Sequence, residues 1–465
     1  MPDDTVLYKR ISPCSFRVSI KGGAAICSCS ALFREKVFWG LDQLKGGHVR
    51  QACRELEEFA RLNSGAPQLA AYRERALGVL LRHSTATTAF YGGYHGRDLK
   101  LQDLPVVDKT LIRERVDQFL SSAFRQEELF TMQTSGSTGT PLTCYQDALK
   151  KKRVNAEAIY YSAKAGYRVG RKLITLQAVA AGSGKSPFSQ WLQNRVALDV
   201  AAVDDGHLEE LLGRMAGLSR GGAVLLAYAS TLQALADFFK RKGLANDCTF
   251  KGVISTSELL PDETRAILEE TFQCRCYSRY SNQENGIIGQ DYEENNLFIL
   301  NEGHYLVEVL SLEDDAILGD EEIGRIVVTD LHNYAMPMIR YDTGDVGALT
   351  WVEQDGVRKR ALGQFSGRKI DLVYDTGGRP LSPHQISVTL REFSEIRQFQ
   401  FVQEGERNYQ VKLQVEGSFK GEPALKTRLL DLLGEGAELK VAYVEDIPPL
   451  GSGKRNYIIN KLAKG

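Results

Sequence analysis

The sequence lacks an excess of charge of either sign. Its 465 residues include 58 Lys and Arg against 59 Asp and Glu, which gives a formal net charge of −1 with neutral histidines. Proteins that hold nucleic acids through a broad basic surface carry a marked positive excess, because their contacts neutralise phosphates. The charge balance therefore excludes this class, and we expect no nucleic-acid partner.

Long apolar runs are absent as well. No stretch reaches the roughly 18 apolar residues of a membrane-spanning helix, so the sequence predicts no membrane span. The opening stretch, MPDDTVLYKR, has acids near its start and no extended apolar segment, unlike a secretory signal peptide. These features favour a cytoplasmic protein.

Cysteine is too sparse for a disulfide scaffold, with eight in the whole chain. Cys27 and Cys29 are separated by one residue, as are Cys274 and Cys276, whereas a zinc site usually has two or more intervening residues. No histidine follows either pair at ligand spacing. We therefore expect free thiols and a reducing compartment.

The chain also lacks the P-loop of nucleoside triphosphatases. The stretch AGSGKS at 181–186 resembles its end, but Val179 stands where the first glycine of the motif belongs. The stretch GSGKR at 451–455 has Arg455 in place of the Ser or Thr that would hold magnesium. Any phosphate site must therefore be built differently.

The pattern of apolar residues predicts an α/β fold in a large N-terminal domain. Between about residues 130 and 330, short apolar runs such as LITLQAVA, AVLLAYA and GVIST alternate with helical stretches. This alternation is typical of mostly parallel sheets flanked by helices. Helical spacing also marks two earlier segments, 32–62, which Gly46 and Gly47 interrupt, and 67–82. The helical stretches of the alternating region are 147–167, 207–217, 231–242 and 262–273.

The pattern of apolar residues changes after about residue 300, where short strand-like segments separated by tight turns predict a β-rich subdomain. Two strands and a helix at 423–434 then predict a small α+β domain. We divide the chain into a flexible N-terminal arm at 1–30, a large domain at 31–366, and a small C-terminal α+β domain at 367–465. The hinge is placed at about 367–371.

One stretch, TMQTSGSTGTP at 131–141, has little that could build a core. It follows the strand-like LFTM and precedes the short strand LTCY. Glycine at 136 and 139 permits positive φ and lets backbone N–H groups approach an anion. Such a loop can wrap a polyphosphate without a lysine of its own, although a solvated hairpin turn is the alternative. Hydroxyls come from Thr134, Ser135, Ser137, Thr138 and Thr140.

Further motifs follow in order, and with them the chain resembles a known family. These motifs are VISTSELL, YSRYSNQENG, MIRYDTGDVG, GQFSGRKIDLV and PPLGSGKRNYIIN. With TSGSTGTP they resemble the adenylate-forming superfamily of acyl-CoA ligases, peptide-synthetase adenylation domains and luciferases. The chain is most similar to the phenylacetate–CoA ligase branch, which includes the CapK-type proteins of capsular polysaccharide biosynthesis. The resemblance covers about residues 32–460, and it implies that the domain at 31–366 binds ATP and the acyl group and that the domain at 367–465 is a small mobile lid domain.

The resemblance implies roles for residues of the first three motifs. Ser257 and Glu258 would line the adenine and acyl pocket, Tyr280 would lie against adenine, and Glu284 would hold Mg²⁺ and take part in catalysis. The loop would bind the phosphates, with Thr138 as a catalytic group, although the usual lysine after its proline is missing, as it is in this branch. The implied phosphate-binding residues are Thr134, Ser135, Gly136, Ser137, Thr138, Gly139 and Thr140.

The last three motifs supply the other implied roles. Asp345 would bind the ribose hydroxyls, Arg368 would reach the ribose or a phosphate, and Lys454 would be the catalytic adenylation lysine on the lid. Two further residues stay open on the sequence alone. Arg340 either contacts a phosphate or pairs with an acid, and Tyr228 either lines the acyl pocket or packs in the core. The histidines, His304 and His332 among them, have no spacing of a triad or metal site and are interpreted as structural or surface residues.

The leading hypothesis is an AMP-forming ligase that uses ATP and Mg²⁺ to adenylate a small carboxylic acid. The acyl group would then pass to a thiol, either coenzyme A as co-substrate or a carrier protein. The first alternative is transfer to an amine, for example on a sugar, or release of an adenylylated product. The second is an inactive nucleotide-binding homologue, against which the intact Glu284, Asp345 and Lys454 count. The resemblance also gives a homodimer as an expectation, while the acid itself cannot be deduced from the sequence.

Overall fold

The structure is a computed structural model, and its elements cover most of the chain. It describes residues 23–133, 142–176, 187–200, 205–243, 247–292, 296–368, 372–381, 385–386, 389–390, 392–393, 395–415, 417, 419–447 and 457–462. Within these ranges the side chains of residues 23–29, 366–368 and 380 are not described.

Helices dominate the N-terminal part, and their boundaries follow the glycines. Gly46 and Gly47 have φ of 95° and 67°, a conformation that separates the first two helices as expected. The Asp42 carboxylate accepts the backbone N–H groups of Val49 and Arg50, which caps the second helix. The first helix begins inside the stretch assigned to an arm. These helices are α1 (Gly23–Leu44), α2 (His48–Ala60), α3 (Pro67–Thr87), α4 (Lys109–Glu114) and α5 (Val116–Phe119).

The α/β prediction for the next part is confirmed. Strands and helices alternate along the chain, and the strands add to one half of a large sheet in parallel. The strands of this part are β1 (Phe130–Gln133), β2 (Thr143–Gln146), β3 (Lys172–Leu176), β4 (Arg195–Leu198), β5 (Ala223–Tyr228), β6 (Phe250–Thr256) and β7 (Cys276–Asn282). The helices are α6 (Ala148–Lys164), α7 (Pro187–Gln193), α8 (Asp205–Ser219), α9 (Ala229–Lys242) and α10 (Asp262–Phe272).

The predicted β-rich part continues the same sheet with antiparallel strands. They are β8 (Gly286–Gln290), β9 (Phe298–Leu300), β10 (Tyr305–Leu310), β11 (Gly324–Asp330), β12 (Tyr341–Gln354) and β13 (Val357–Arg368). The strand order is β10-β11-β12-β13-β9-β8-β7-β6-β5-β3-β4. A separate hairpin pairs β1 with β2. Because β13 continues to Arg368, the first residues of the proposed hinge are still strand.

A small α+β domain follows, as predicted. Its four-stranded sheet has the order β18-β17-β16-β19, and a short hairpin of β14 and β15 precedes it. Helix α11 packs three leucines, Leu425, Leu429 and Leu433, into its core. The elements are β14 (Val373–Tyr374), β15 (Pro380–Leu381), β16 (Ile396–Gln403), β17 (Asn408–Val415), α11 (Glu422–Leu433), β18 (Glu438–Tyr443) and β19 (Ile458–Asn460).

Two expectations from composition can be compared with this fold. In the part of the chain that the structure describes, every helix is too short or too polar to cross a bilayer. The described cysteines are free thiols, as expected, and four of the five are buried. Burial raises the pKa of the Cys274 thiol to about 12, which leaves it protonated near neutral pH.

Candidate active site

Several of the predicted site residues that the structure describes, Ser257, Glu258 and Glu284, follow the ends of neighbouring strands of the large sheet. Strands β3, β5, β6 and β7 run parallel, so their carboxyl ends lie at the same edge. Tyr228 ends β5, Thr256 ends β6 and Asn282 ends β7. In open α/β sheets, ligands bind outside the carboxyl ends of the strands. The residues that follow these ends are therefore the candidates for binding.

Glu284 lies in the turn between β7 and β8 and is almost fully buried, with 1% of its surface exposed. Tyr341 donates its hydroxyl to Glu284 Oε1 at 2.8 Å, and Lys109 Nζ lies 3.2 Å from the same oxygen. The buried thiol of Cys144 on β2 is close enough that Glu284 adds to the rise in its pKa, which burial causes first. Glu284 is therefore a held carboxylate and not a solvated surface acid.

Asp345 is held in a matching way. Tyr280 on β7 donates its hydroxyl to Asp345 Oδ2 at 2.9 Å. Burial, and then the Asp345 charge, raise the pKa of Tyr280 well above its usual value, so the hydroxyl keeps its proton. The Asp345 backbone N–H donates to Thr343 Oγ1 at 3.1 Å, which fixes the strand at this point.

The two tyrosines form a reciprocal pair between distant strands. Tyr280 of β7 holds Asp345 of β12, while Tyr341 of β12 holds Glu284 at the end of β7. Three strands separate β7 from β12 in the sheet, so the sheet curves enough to bring them together. The arrangement places a carboxylate suited to a cation beside a carboxylate suited to sugar hydroxyls.

Lys109 is a further candidate site residue that was not predicted from the sequence. Backbone N–H of Val107 donates to the Arg340 carbonyl at 3.0 Å, and Asp342 N–H donates to Val107 at 2.8 Å, which adds this segment beside β12. Asp108 then caps α4 by accepting from Leu111 N–H at 2.8 Å. Lys109, at the first position of α4, consequently reaches Glu284. No local pattern marks this lysine, because its partner lies far away in sequence.

Ser257 and Glu258 lie at the same edge, directly after β6. Ser257 has a positive φ of 71°, unusual for a residue other than glycine, and its side chain is exposed. Glu258 accepts the backbone N–H of Ser230 at 2.9 Å in the first turn of α9. A carboxylate at a helix N-terminus is stabilised there, which gives Glu258 a structural role beside its predicted one. Tyr228 precedes α9 and is half-buried, which leaves both of its interpretations open.

The resemblance calls for Mg²⁺, and the side chains around Glu284 fit an ion that arrives with its substrate. Magnesium is usually held by one or two carboxylates together with substrate phosphates. Within the described ranges, the His, Cys, Asp and Glu side chains form no group of three or more that could hold a metal alone. The amide groups of Asn285 and the Oε1 atom of Gln146 are buried without a hydrogen-bond partner among the described residues. Gln146 Nε2 contacts the Glu284 carbonyl at 3.5 Å, so polar binding capacity is unused beside this turn.

Comparisons with known proteins agree with these motifs. Residues 373–461 match the CapK C-terminal domain family. The protein CapK of Staphylococcus aureus is 22% identical over 377 residues, which cover 78% of this chain and 80% of that protein. A phenylacetate-coenzyme A ligase of Thermus thermophilus is 25% identical over 310 residues, which cover 65% of this chain and 68% of that ligase. These relatives support the resemblance of the chain to the adenylate-forming superfamily, in its CapK and phenylacetate–CoA ligase branch.

A solved structure supports the same fold for this chain. The crystal structure of 2-hydroxyisobutyryl-CoA ligase in complex with R3-HIB-AMP matches with a TM-score of 0.67. The match covers 86% of this chain and 91% of that chain, at 17% identity. The α/β core and the small C-terminal domain thus have the same fold as this ligase.

Several predicted site residues of this chain are not described in full. The loop residues Thr134, Ser135, Gly136, Ser137, Thr138, Gly139 and Thr140 lie outside the described residues, as does Lys454. The flanks of the loop are seen, because Gln133 pairs with Thr143 across β1 and β2. The Cα atom of Arg368 pairs with that of Asp345 across β12 and β13, which places these two predicted positions side by side.

The open question about Arg340 has a geometric answer. Its guanidinium Nε lies 3.2 Å from Glu308 Oε2 and its Nη1 donates to the Leu104 carbonyl at 3.0 Å. Arg340 is also nearly fully buried, with 4% exposed. Pairing with an acid is therefore the role that the structure gives this arginine.

Proposed function

We propose that this chain is an ATP-dependent, AMP-forming ligase that adenylates a small carboxylic acid and transfers the acyl group to the thiol of coenzyme A or a carrier protein. The main support for the proposal is the reciprocal tyrosine pair, because its two hydrogen bonds hold Glu284 and Asp345 at the same sheet edge. The strands β1 and β2, which flank the predicted phosphate-binding loop, lie near this edge. The phenylacetate-coenzyme A ligase relatives give the coenzyme A acceptor its support.

The chemistry asks mainly for positioning. The acid's carboxylate oxygen attacks the α-phosphorus of ATP, a new C–O–P link forms, and pyrophosphate leaves with the electrons of the broken bond. A carboxylic acid is already ionised near pH 7, so no general base is needed for this step. Two anions must approach each other, so catalysis depends on orientation and on charge stabilisation.

Asp345 would orient the nucleotide. A carboxylate accepts hydrogen bonds from both ribose hydroxyls, and the Tyr280 hydroxyl at 2.9 Å prevents the Asp345 side chain from turning away. Fixing the ribose fixes the direction in which the α-phosphate faces. This arrangement uses a side chain of β7, a strand of the same sheet, and not a flexible loop, to set the geometry.

Glu284 and Lys109 would handle the phosphate charge. Magnesium, when bound, neutralises phosphate oxygens and so supplies electrostatic stabilisation. Glu284 would provide a fixed oxygen ligand for the ion, since the Tyr341 hydroxyl holds the carboxylate by its Oε1 atom. Lys109, which is 47% exposed, can leave Glu284 and turn its ammonium toward the phosphates. It would thereby replace the lysine that the loop lacks after Pro141.

The small domain would supply the remaining catalytic charge through Lys454. Near this residue, Tyr457 donates its hydroxyl to Gln233 of α9 at 3.2 Å. Since α9 starts at the carboxyl edge, the contact brings Tyr457, three residues after Lys454 in sequence, against the large domain. In the second half-reaction, lid rotation would withdraw the lysine and admit the thiol.

The nature of the acceptor is tested by product analysis. The purified chain is incubated with ATP, Mg²⁺ and an acid that stimulates turnover, with and without coenzyme A, and AMP and acyl products are measured by mass spectrometry. We expect coenzyme A to convert a tightly held acyl-adenylate into an acyl-CoA and to raise AMP release. Unchanged AMP release and no thioester would favour an amine acceptor or an adenylylated product instead.

Lys109→Met is expected to raise the KM for ATP about tenfold, because a charge-assisted contact to a phosphate contributes roughly 1.5–3 kcal/mol. The kcat value should fall less, since Lys454 remains. Lys152→Met is the matched control, because Lys152 is a partly exposed lysine whose Nζ donates to the Lys45 carbonyl at 3.2 Å. An unchanged KM in Lys109→Met would show that Lys109 only balances Glu284.

A further inference from the structure

Helix α6 buries two charged side chains, Lys150 and Glu157, each with 0% of its surface exposed. Burying a charge is costly unless it is paired and hydrogen-bonded. Lys150 Nζ lies 2.7 Å from Asp330 Oδ2 and donates to the Tyr305 hydroxyl at 3.1 Å. Well-packed apolar side chains at these positions are often at least as stabilising as a buried ion pair. The charges at Lys150 and Glu157 therefore call for an explanation other than stability.

Glu157 is surrounded by donors. Its Oε1 atom lies 2.6 Å from His304 Nδ1 and 2.8 Å from the Tyr305 hydroxyl, and its Oε2 atom accepts the Ile287 N–H at 2.9 Å. Arg153 donates toward His304 Nε2 at 3.2 Å, so the ring proton is on Nδ1 and faces Glu157. Burial, with Arg153 next, lowers the pKa of His304 well below its usual value and keeps the ring neutral.

The Tyr305 hydroxyl joins this network to the turn that carries Glu284. Besides Lys150 and Glu157, the hydroxyl contacts the carbonyl oxygen of Asn285 at 2.8 Å. Asn285 directly follows Glu284, and Glu157 holds the N–H of Ile287 two residues further on. The network therefore contacts the backbone of the turn on both sides of Gly286.

Gly286 shows how closely the turn is pressed against the network. Its φ is +133°, and a Cβ atom there would lie 2.4 Å from Glu157 Oε2 and 2.6 Å from the Tyr305 hydroxyl. Any other residue would push the turn away from both groups. The contact is thus built into the backbone, and Asn301 Nδ2 completes it by donating to the Ile287 carbonyl at 3.1 Å.

We propose that the Tyr305 hydroxyl, backed by Lys150 and Glu157, is a positioning group for Glu284. It fixes the position and orientation of the turn between β7 and β8, so that the Glu284 carboxylate is held where it would bind magnesium and face the phosphates. This inference rests on the proposed function, because it assigns the network to the metal-binding step. Groups that orient a metal ligand commonly affect metal affinity about 10–100-fold when they are removed.

A purely structural role for the network would give a different result. In that case Tyr305 would only join α6 to the sheet, and loss of its hydroxyl would lower the melting temperature without changing the response to magnesium. The two roles can be separated by comparing metal dependence with stability in variants that lose one hydroxyl each.

The experiment uses Tyr305→Phe and Tyr167→Phe in the full chain. Tyr167 is the matched control, because it is a buried tyrosine whose hydroxyl donates to the Gln193 carbonyl at 2.9 Å, away from Glu284. ATP binding is measured by calorimetry over a series of Mg²⁺ concentrations, together with melting temperature and amide exchange of the peptide around 283–290. We expect Tyr305→Phe to need about tenfold more Mg²⁺ for half-maximal ATP binding. Exchange in that peptide should also be faster, while Tyr167→Phe changes only stability.

The outcomes separate this inference from the proposed function. If the unmodified chain shows no magnesium-dependent ATP binding, the proposed function fails. If it does, and Tyr305→Phe keeps the same magnesium requirement as Tyr167→Phe, the positioning role alone is wrong. Should Tyr305→Phe fail to fold, Asn301→Ala removes another contact to the same turn and carries the same expected rise, with an unchanged requirement again contradicting the inference.

Discussion

Replacing Lys454 by alanine is expected to reduce acid-dependent ATP–pyrophosphate exchange by about 10²–10³-fold, while ATP binding stays within about twofold. The ammonium would act on charge that develops at the α-phosphate and carboxylate during attack, and less on the bound ground state. The contact between Tyr457 and Gln233 supports a role for Lys454 at this site, since it brings Tyr457, three residues later in sequence, against α9. Removal of a charge that acts only in the transition state lowers kcat more than it weakens substrate binding.

The matched control is Lys461→Ala. Lys461 lies on the same small domain, is about half exposed and pairs with Glu404 at 2.7 Å. Loss of this surface ion pair should leave exchange near the wild-type rate, because exposed pairs contribute little to stability. Equal effects of the two substitutions would contradict a catalytic role for Lys454.

Replacing Glu284 by glutamine is expected to lower pyrophosphate exchange by on the order of 10²-fold and to raise the Mg²⁺ requirement. Glutamine keeps the shape of the side chain and can still accept the Tyr341 hydroxyl, so the fold should persist. What is lost is the negative oxygen ligand. Exchange measured across Mg²⁺ concentrations should therefore recover partly at high metal.

Glu302→Gln is a suitable control for this prediction. Glu302 is also a buried acid and pairs with Arg73 at 3.1 Å, but its partners Arg73 and Ser64 belong to the N-terminal helical region. Its loss should reduce stability without changing the response to Mg²⁺. If Glu284→Gln and Glu302→Gln had the same Mg²⁺ dependence, Glu284 would not be the metal ligand.

Much of the fold could be predicted because its signals are local. The break at Gly46 and Gly47, the alternation that gives the parallel strands, and the small terminal domain all follow from spacing within short windows. The curvature that brings β7 to β12 could not be predicted in this way. It depends on how eleven strands add to one sheet, which is a property of the whole chain.

The candidate site shows the same division. Motifs identified Glu284, Tyr280 and Asp345, and the structure places all three together. Their roles in binding remain proposals. Lys109 and Tyr341 were missed as site residues, because they meet Glu284 only through tertiary packing. A tyrosine four residues before a predicted site residue, as Tyr341 is before Asp345, does not by itself indicate a site role, since tyrosine is common in ordinary cores.

The buried network around Tyr305 gives a further example. The sequence analysis interpreted His304 as structural or on the surface, and its burial confirms the structural interpretation. The burial of Lys150 and Glu157 could not be predicted from the sequence, because both resemble solvated positions of an amphipathic helix. The tertiary fold is what covers them. Buried charges of this kind are found only once the packing is known.

The most direct test of the account is ATP–pyrophosphate exchange by the unmodified chain. Aryl, acyl and amino acids are supplied one at a time with ATP and Mg²⁺, and each reaction is repeated with excess chelator. The account predicts that at least one small carboxylic acid stimulates exchange and that chelation abolishes it. ATP binding without exchange for any acid in a broad panel would contradict it, and would identify the chain as a nucleotide-binding protein without ligase activity.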